Sequence, residues 1–294
     1  IGAWFEVVKP LIEKAGLTWE GRDGFSWDWY ADVGFLISYT PEEREKIIDT
    51  YMTEFKKVFG KLPTSVGAWI IDAHSLNYMA EKYDIEASVN CRDQWGTDGY
   101  NLWGGYYNQG YYHSKQNVFS PAQTDKNQID VPVFRMLGSD PIYQYDAGLG
   151  EKGNYSPSSH QPVYTLEPIY SESGGSAEWV DWYFKENFSD NCLSFGYTQV
   201  GQENSFGWSL MKEGLIYQLN RLRQAVENDE LELMTLGETG EWYQEKYRRT
   251  PASAITVFSD WKDKGHQSFW FYNCNYRINI LREGDLFWIR DIHL

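Results

Sequence analysis

The sequence predicts an α/β protein built as a (β/α)-barrel, incomplete or seven-stranded, followed by the start of an antiparallel β domain. Along residues 1–250, short apolar runs that suit buried strands alternate with segments of helical period. Residues 65–91 form one strand–helix–strand unit, which is typical of a parallel sheet. After residue 251, short strands alternate with Gly, Asp and Asn turns. We therefore predict a barrel domain over residues 1–250 and an antiparallel β unit over residues 251–294.

The helices of the barrel region have local start and stop signals. Residues 1–20 show helical spacing that ends at Gly16. Thr40 and the following Pro-Glu-Glu predict an N-cap, a proline at the first helical position and a capping box, and the helix is expected to stop at Gly60. The spacing of apolar residues predicts a further helix over residues 208–227. Its expected inward face consists of Leu210, Leu215, Leu219, Leu222 and Val226.

Further strands are predicted at residues 131–137, 193–199 and 231–236. The segments 95–128 and 141–176 are long, irregular and rich in Gly and aromatic residues. Loops of such length inside a compact domain are usually either functional or disordered, and the aromatic content favours function.

Composition points to a carbohydrate partner. The chain has 42 acidic and 26 basic residues and a net charge of −16, which argues against nucleic acid or an anionic membrane surface. Its 14 Trp and 22 Tyr offer flat faces that suit stacking on sugar rings, although an aromatic-rich core is the alternative. No apolar run approaches the roughly 18 residues of a membrane span.

No cofactor is predicted, and a divalent metal stays open. Cys91, Cys192 and Cys274 are far apart and have no metal-binding spacing. Among the histidines only His74 follows a predicted strand, and the others, including His113, fall in predicted loops or in the β unit. Nucleotide-binding and serine-nucleophile motifs are lacking.

Polar side chains follow the predicted strands, and in a (β/α)-barrel such residues converge on one face. Neighbouring carboxylates can divide into an acid and a base, which glycoside hydrolysis requires. The predicted catalytic residues are Asp93, Asp140 and Glu203. The predicted substrate-binding residues are Asp28, Asp72, His74, Gln94, Trp95, Trp103, Arg135, Gln202 and Asn204.

Three carboxylates have a structural alternative. Asp72 could cap the helix that starts at Ser75, and Asp140 could be a turn residue before Pro141. Glu238 lies at a predicted helix start, where a carboxylate interacts well with the helix dipole.

Six stretches resemble a known family. They are residues 24–29 (GFSWDW), 72–79 (DAHSLNYM), 93–100 (DQWGTDGY), 138–142 (GSDPI), 199–206 (QVGQENSF) and 235–242 (TLGETGEW). On these the chain resembles an uncharacterised Bacteroidetes family of the glycoside hydrolase/deacetylase β/α-barrel superfamily, described as polysaccharide-deacetylase-like.

The resemblance implies a seven-stranded or distorted barrel, a carbohydrate substrate and a β domain that begins near residue 252. It also implies a periplasmic or extracellular location, with the first barrel strands upstream of Ile1. The chain departs from the superfamily because it has neither the Asp-Asp pair of a TFDDG-like strand nor the HxxxH metal motif.

Three hypotheses follow. The first is a carbohydrate-active hydrolase that uses strand-end carboxylates on a poly- or oligosaccharide. The second is a non-catalytic glycan-binding protein on a decayed barrel. The third is a metal-dependent polysaccharide deacetylase, which requires a metal near His74.

Overall fold

The computed structural model describes residues 1–21, 36–68, 71–90, 109–135, 137–145, 164–188, 192–201 and 206–294. The chain divides into two compact units. Unit 1 comprises residues 1–91, 111–134 and 234–249, and unit 2 comprises residues 92–110, 135–233 and 250–294. The predicted domain boundary after residue 250 stays a prediction.

The described residues form a mixed α/β protein. The strands are β1 (Ala3–Trp4), β2 (Ser65–Ala68), β3 (Ala87–Asn90), β4 (Gly110–Ser114), β5 (Gln128–Arg135), β6 (Cys192–Leu193), β7 (Ser253–Val257), β8 (His266–Tyr272), β9 (Arg277–Glu283) and β10 (Leu286–His293). The helices are α1 (Lys9–Lys14), α2 (Pro41–Phe59), α3 (Ala73–Tyr83), α4 (Ala177–Phe188), α5 (Trp208–Glu227) and α6 (Leu236–Lys246). Among the described residues, no helix is both long and apolar enough to cross a membrane.

The first sheet has the strand order β1-β2-β3-β5-β4. Strands β1, β2 and β3 are parallel, with Ala3 opposite Val66 and Ser65 opposite Ala87. Helix α3 connects β2 to β3, so the predicted strand–helix–strand unit and its parallel pairing are confirmed. The α/β class is therefore confirmed, whereas closure into a barrel stays a prediction.

The second sheet lies in unit 2 and has the order β10-β9-β8-β7-β6, with every neighbouring pair antiparallel. Ile255 and Val257 of β7 and Trp270 and Tyr272 of β8 are fully buried. On β8 the buried residues alternate with partly exposed positions, as the two-residue period of a strand requires. The predicted antiparallel strands after residue 251 are thus present.

Helix α2 begins and ends as predicted. The Thr40 side chain accepts a hydrogen bond from the Glu43 backbone N–H, and the Glu43 side chain accepts one from the Thr40 backbone N–H. Gly60 ends the helix with a φ of 75°, a left-handed conformation that glycine adopts without steric cost. The helix buries Ile47, Ile48 and Met52 completely.

Two predicted strands are wrong. In the stretch 193–199 only Leu193 is in a strand, β6, which pairs antiparallel with β7, and Leu193 is 51% exposed. The stretch 231–236 contains no strand, because Thr235 and Glu238 form a capping box that starts α6. Leu233 is 71% exposed, so the apolar alternation there does not mark a buried face.

Two helix predictions need correction. Residues 1–20 are not one helix, because Ala3 and Trp4 pair with β2 and α1 begins only at Lys9.

The predicted inward face of α5 is also largely wrong, since Leu210 is 67% and Leu219 is 52% exposed. The buried positions of α5 are Met211, Gly214, Gln218, Leu222 and Ala225. A Cβ atom on Gly214 would lie 2.6 Å from the Pro168 carbonyl oxygen, so close backbone contact selects this face.

The capping box of α2 provides a stability test. We expect Thr40→Ala to lower the free energy of unfolding by about 1 kcal/mol, because the substitution leaves helix N–H groups without an acceptor. Thr53→Ala on the exposed face of α2 is the matched control, with an expected change within about 0.5 kcal/mol. Urea unfolding followed by circular dichroism measures the free energy of unfolding of both variants. An equal loss of this free energy in Thr40→Ala and Thr53→Ala would contradict the capping role.

Candidate functional site

Four sequence-predicted site residues fall in the described ranges. Asp72 and His74 belong to unit 1, whereas Arg135 and Asp140 belong to unit 2. The others lie outside the described residues, and their roles stay predictions. They are Asp28, Asp93, Gln94, Trp95, Trp103, Gln202, Glu203 and Asn204.

Asp72 follows β2 and is the N-cap of α3. Its Oδ1 atom accepts hydrogen bonds from the Ser75 backbone N–H at 3.0 Å and from Arg44 Nη1 at 3.0 Å. Its Oδ2 atom accepts one from Ser75 Oγ at 2.6 Å. The helix-capping alternative is confirmed, and both carboxylate oxygens are engaged within the protein.

His74 lies in the first turn of α3 with its Nε2 atom 3.2 Å from Glu45 Oε1, and both side chains are more than a third exposed. The pair supplies two donors for a metal, fewer than the three protein ligands of a typical catalytic zinc site. In the described part of the chain, no three His, Cys, Asp or Glu side chains are grouped so that they could hold a metal ion. These residues therefore do not fit the metal centre of a deacetylase.

His113 is a buried titratable residue that the sequence placed in a loop. It lies on β4 and has no exposed surface. Its Nδ1 atom is 3.1 Å from the Ser114 carbonyl oxygen, which can only accept, so Nδ1 carries the proton. Its Nε2 atom is buried and has no partner among the described residues. Burial lowers the pKa of His113 to about 4, although the Ser114 hydrogen bond and the Asp72 charge oppose the shift.

Asp140 is fully buried in unit 2, and its carboxylate accepts hydrogen bonds from two backbone N–H groups and two indoles. Its Oδ1 atom accepts from the Ile142 and Tyr143 backbone N–H groups, each at 2.8 Å. Its Oδ2 atom accepts from the indoles of Trp261 at 2.5 Å and Trp179 at 3.3 Å. Burial raises the pKa of the Asp140 carboxyl, while these donors act in the opposite direction.

These contacts confirm the turn alternative for Asp140 and add an anchoring role, because the carboxylate holds two indoles that are distant in sequence. A carboxylate without exposed surface cannot reach a substrate in this arrangement. The geometry therefore favours a positioning role, and the predicted catalytic role of Asp140 stays untested.

Two segments that the sequence assigned to the site are in contact. The Gly138 backbone N–H donates to the Gln199 carbonyl oxygen at 3.4 Å. A Cβ atom on Gly138 would lie 2.2 Å from Thr198 Oγ1 and 2.3 Å from the Tyr183 hydroxyl, so only glycine fits without a shift. The turn after β5 and the segment 195–201 thus meet at a glycine.

Two amide side chains, those of Gln109 and Asn187, contact the segment 195–199, and Gln199 ends this segment. Gln109 Nε2 donates to the Phe195 carbonyl oxygen at 2.9 Å, and Asn187 Nδ2 donates to the Tyr197 carbonyl oxygen at 3.1 Å. Since a carbonyl oxygen only accepts, these bonds fix the orientation of both amides. The remaining amide oxygens are buried and have no partner among the described residues. They are Gln109 Oε1, Asn187 Oδ1 and Gln199 Oε1. We name Gln109, Asn187 and Gln199 the amide cluster.

Arg135 ends β5 and is buried in the same unit. Its positive charge acts on the nearby Tyr183 hydroxyl, whose pKa burial raises and the Arg135 charge lowers in part. The Tyr183 hydroxyl lies 3.0 Å from Thr198 Oγ1.

No pattern in the sequence marks the amide cluster. Gln109 lies in a segment that reads as an irregular loop, and Asn187 lies near the end of a helix. Only Gln199 was part of a predicted strand end. Their common feature is a buried amide oxygen. In Gln109 and Asn187 the amide nitrogen donates to a backbone carbonyl oxygen of a distant segment, and this contact depends on tertiary packing.

Comparisons with known proteins identify a family and a solved structure with a similar fold. A family model described as a domain of unknown function with a solved structure, DUF3863, matches residues 31–259. The chain is similar to a Parabacteroides distasonis protein described as a candidate glycoside hydrolase/deacetylase, with a TM-score of 0.65 and 17% sequence identity. The match covers 85% of this chain and 61% of that one, so the chain spans less than two thirds of that protein. No curated protein matches.

The contact at Gly138 can be tested by adding one methyl group. We expect Gly138→Ala to lower the free energy of unfolding by roughly 1–3 kcal/mol, because the new Cβ overlaps Thr198 and Tyr183. The matched control is Gly201→Ala, whose Cβ would meet Leu137 at 4.0 Å and no other atom of the described residues within that distance. We expect the control to change stability by no more than about 0.5 kcal/mol. Equal unfolding midpoints for the two variants would contradict the close approach.

The burial of His113 predicts a pH dependence. Its native pKa of about 4 lies below the unfolded value of about 6.5, so acidification protonates the unfolded state first. The protein should therefore lose stability as the pH falls from about 6.5 to about 4, by an amount on the order of 3 kcal/mol from this residue.

Urea unfolding between pH 7 and pH 4.5 measures the effect. His113→Gln should show a weaker pH dependence than the unmodified chain, and His74→Gln, at an exposed site, should keep the original dependence. Parallel pH profiles for the His113 variant and the unmodified chain would show that His113 is not the cause.

Proposed function

The chain belongs to the DUF3863 family, and from this premise we propose that it is a carbohydrate-active hydrolase of the glycoside hydrolase/deacetylase type. The substrate is a poly- or oligosaccharide. The observation that carries the proposal is the contact between Gly138 and Gln199, beside the amide cluster and immediately before the segment Gln202-Glu203-Asn204. The fold likeness to a candidate glycoside hydrolase/deacetylase supports the same class.

The composition of the chain supports a sugar ligand. Trp and Tyr are abundant, and their rings stack on sugar faces.

Hydrolysis of a glycosidic bond requires two carboxyl groups. One protonates the leaving oxygen, and the other activates water or forms a covalent glycosyl intermediate. We assign these roles to Glu203 and Asp93. Asp140 is a positioning residue in this proposal, because its oxygens hold the turn at Ile142 and two indoles.

A non-catalytic glycan-binding protein is the second candidate. The observation that favours it is the engagement of both described strand-end carboxylates, Asp72 as a helix cap and Asp140 as an anchor. A metal-dependent deacetylase has less support, since the described donors around His74 do not fit a metal centre.

Turnover assays distinguish the candidates. The chain is incubated with a panel of oligosaccharides and acetylated oligosaccharides, and new reducing ends and released acetate are measured separately. We expect new reducing ends, and we expect Glu203→Gln and Asp93→Asn each to lower their rate at least about 100-fold while sugar binding persists. Glu213→Gln, an exposed carboxylate of α5, is the control and should keep full activity.

Three other outcomes would contradict the proposal. Full activity in both variants would exclude Glu203 and Asp93 as the catalytic pair. Binding without any product would favour the glycan-binding candidate, and acetate without new reducing ends would favour the deacetylase.

A further inference from the structure

The antiparallel sheet of unit 2 is apolar on both faces. On the inner face, Ile255, Val257 and Leu281 form a buried cluster, and Trp270 Nε1 donates to the Pro141 carbonyl oxygen at 2.8 Å. The strand register places the intervening residues on the opposite side of the sheet, which we name the outer face. Its central side chains are Phe269, Phe271, Ile278, Ile280, Phe287 and Ile289.

The outer face is open to solvent in a single copy of the chain. Phe287 is 70% and Ile289 is 64% exposed, and Ile292 and Leu193 on the same face are each more than half exposed. An antiparallel sheet with one solvated face usually carries polar side chains on that face. The apolar character of the outer face therefore indicates a covering layer.

The charge of the outer face suits a second copy of the chain. None of the described strand residues on this face is acidic, although the chain has 42 acidic residues. The polar positions are Thr256, Gln267 and Arg282, and Arg282 Nη1 donates to Gln267 Oε1 at 3.0 Å. Two copies with a net charge of −16 each can thus meet here without bringing carboxylates together. A glycan would find no hydrogen-bond partner on the central Phe and Ile side chains.

The area of the outer face meets the needs of a dimer. Aromatic side chains offer about 150–250 Å² each, so the exposed fractions of the outer residues leave on the order of 600 Å² open per copy. Two facing copies would bury on the order of 1,200 Å², the lower limit for specific and stable interfaces. Twisted sheets pack face to face at about 10 Å, and a second copy supplies a surface of the same twist.

We propose that the outer face is the contact of a two-fold symmetric dimer, in which the sheets of two copies pack as the two layers of a β-sandwich. Such a contact needs a single self-complementary surface, and the uncharged apolar centre of the outer face is one. The proposal is independent of the proposed hydrolase activity, because the turn that contains Asp140 and Pro141 packs on the inner face.

Sedimentation velocity of the full chain between about 1 and 100 µM measures its mass. We expect a dimer, at twice the 34.3 kDa of one chain. Ile289→Lys and Ile292→Lys each place an unpaired ammonium group in the contact and should raise the dimer Kd at least about 100-fold. Both side chains are more than half exposed in one copy, so circular dichroism should show that the variants fold.

Hydrogen exchange of the unmodified chain gives a second measurement that needs no variant. Peptides that cover residues 286–293 should exchange more slowly at about 100 µM than at about 1 µM, because dimerisation covers β10.

Ile216→Lys is the matched control, because Ile216 is exposed on α5 of the same unit, outside the sheet. This variant should remain dimeric. The proposal is overturned if the unmodified chain is monomeric over the whole range, or if the protection of residues 286–293 does not change with concentration. Folded Ile289→Lys and Ile292→Lys variants that stay dimeric would also overturn it. A monomer that binds neutral phosphatidylcholine vesicles would assign the outer face to a lipid surface instead.

Discussion

The buried carboxylate of Asp140 is the constraint on which the rest of unit 2 depends. An isolated charge in a protein interior is very unfavourable, so a buried aspartate requires donors from its surroundings. These donors come from the adjacent turn and from the indoles of Trp179 and Trp261. One side chain therefore ties the turn after β5 to α4 and to the segment after β7. Glu186 acts similarly, since it accepts from the Phe258 backbone N–H at 3.0 Å.

The same rule separates the described carboxylate of Asp140 from the amide cluster. Asp140 has a donor on each oxygen. Gln109, Asn187 and Gln199 instead keep a buried amide oxygen without a partner among the described residues. The fold thus satisfies its buried charge first and leaves the cost of missing donors to neutral groups, for which that cost is smaller.

Gln128 in unit 1 shows the same pattern. Its amide nitrogen donates to Asp130 Oδ1 and to the Arg248 carbonyl oxygen. Its buried amide oxygen has no partner among the described residues.

The sequence by itself determined the features that depend on residues a few positions apart. The capping box at Thr40, the helix cap at Asp72 and the parallel pairing of β2 with β3 follow from local signals and short connections. Tertiary structure decided the buried face of α5, the burial of His113 and the orientation of the amide cluster. These depend on which distant segment packs against a residue, because burial and hydrogen-bond satisfaction belong to the folded arrangement and leave no periodic mark in the chain.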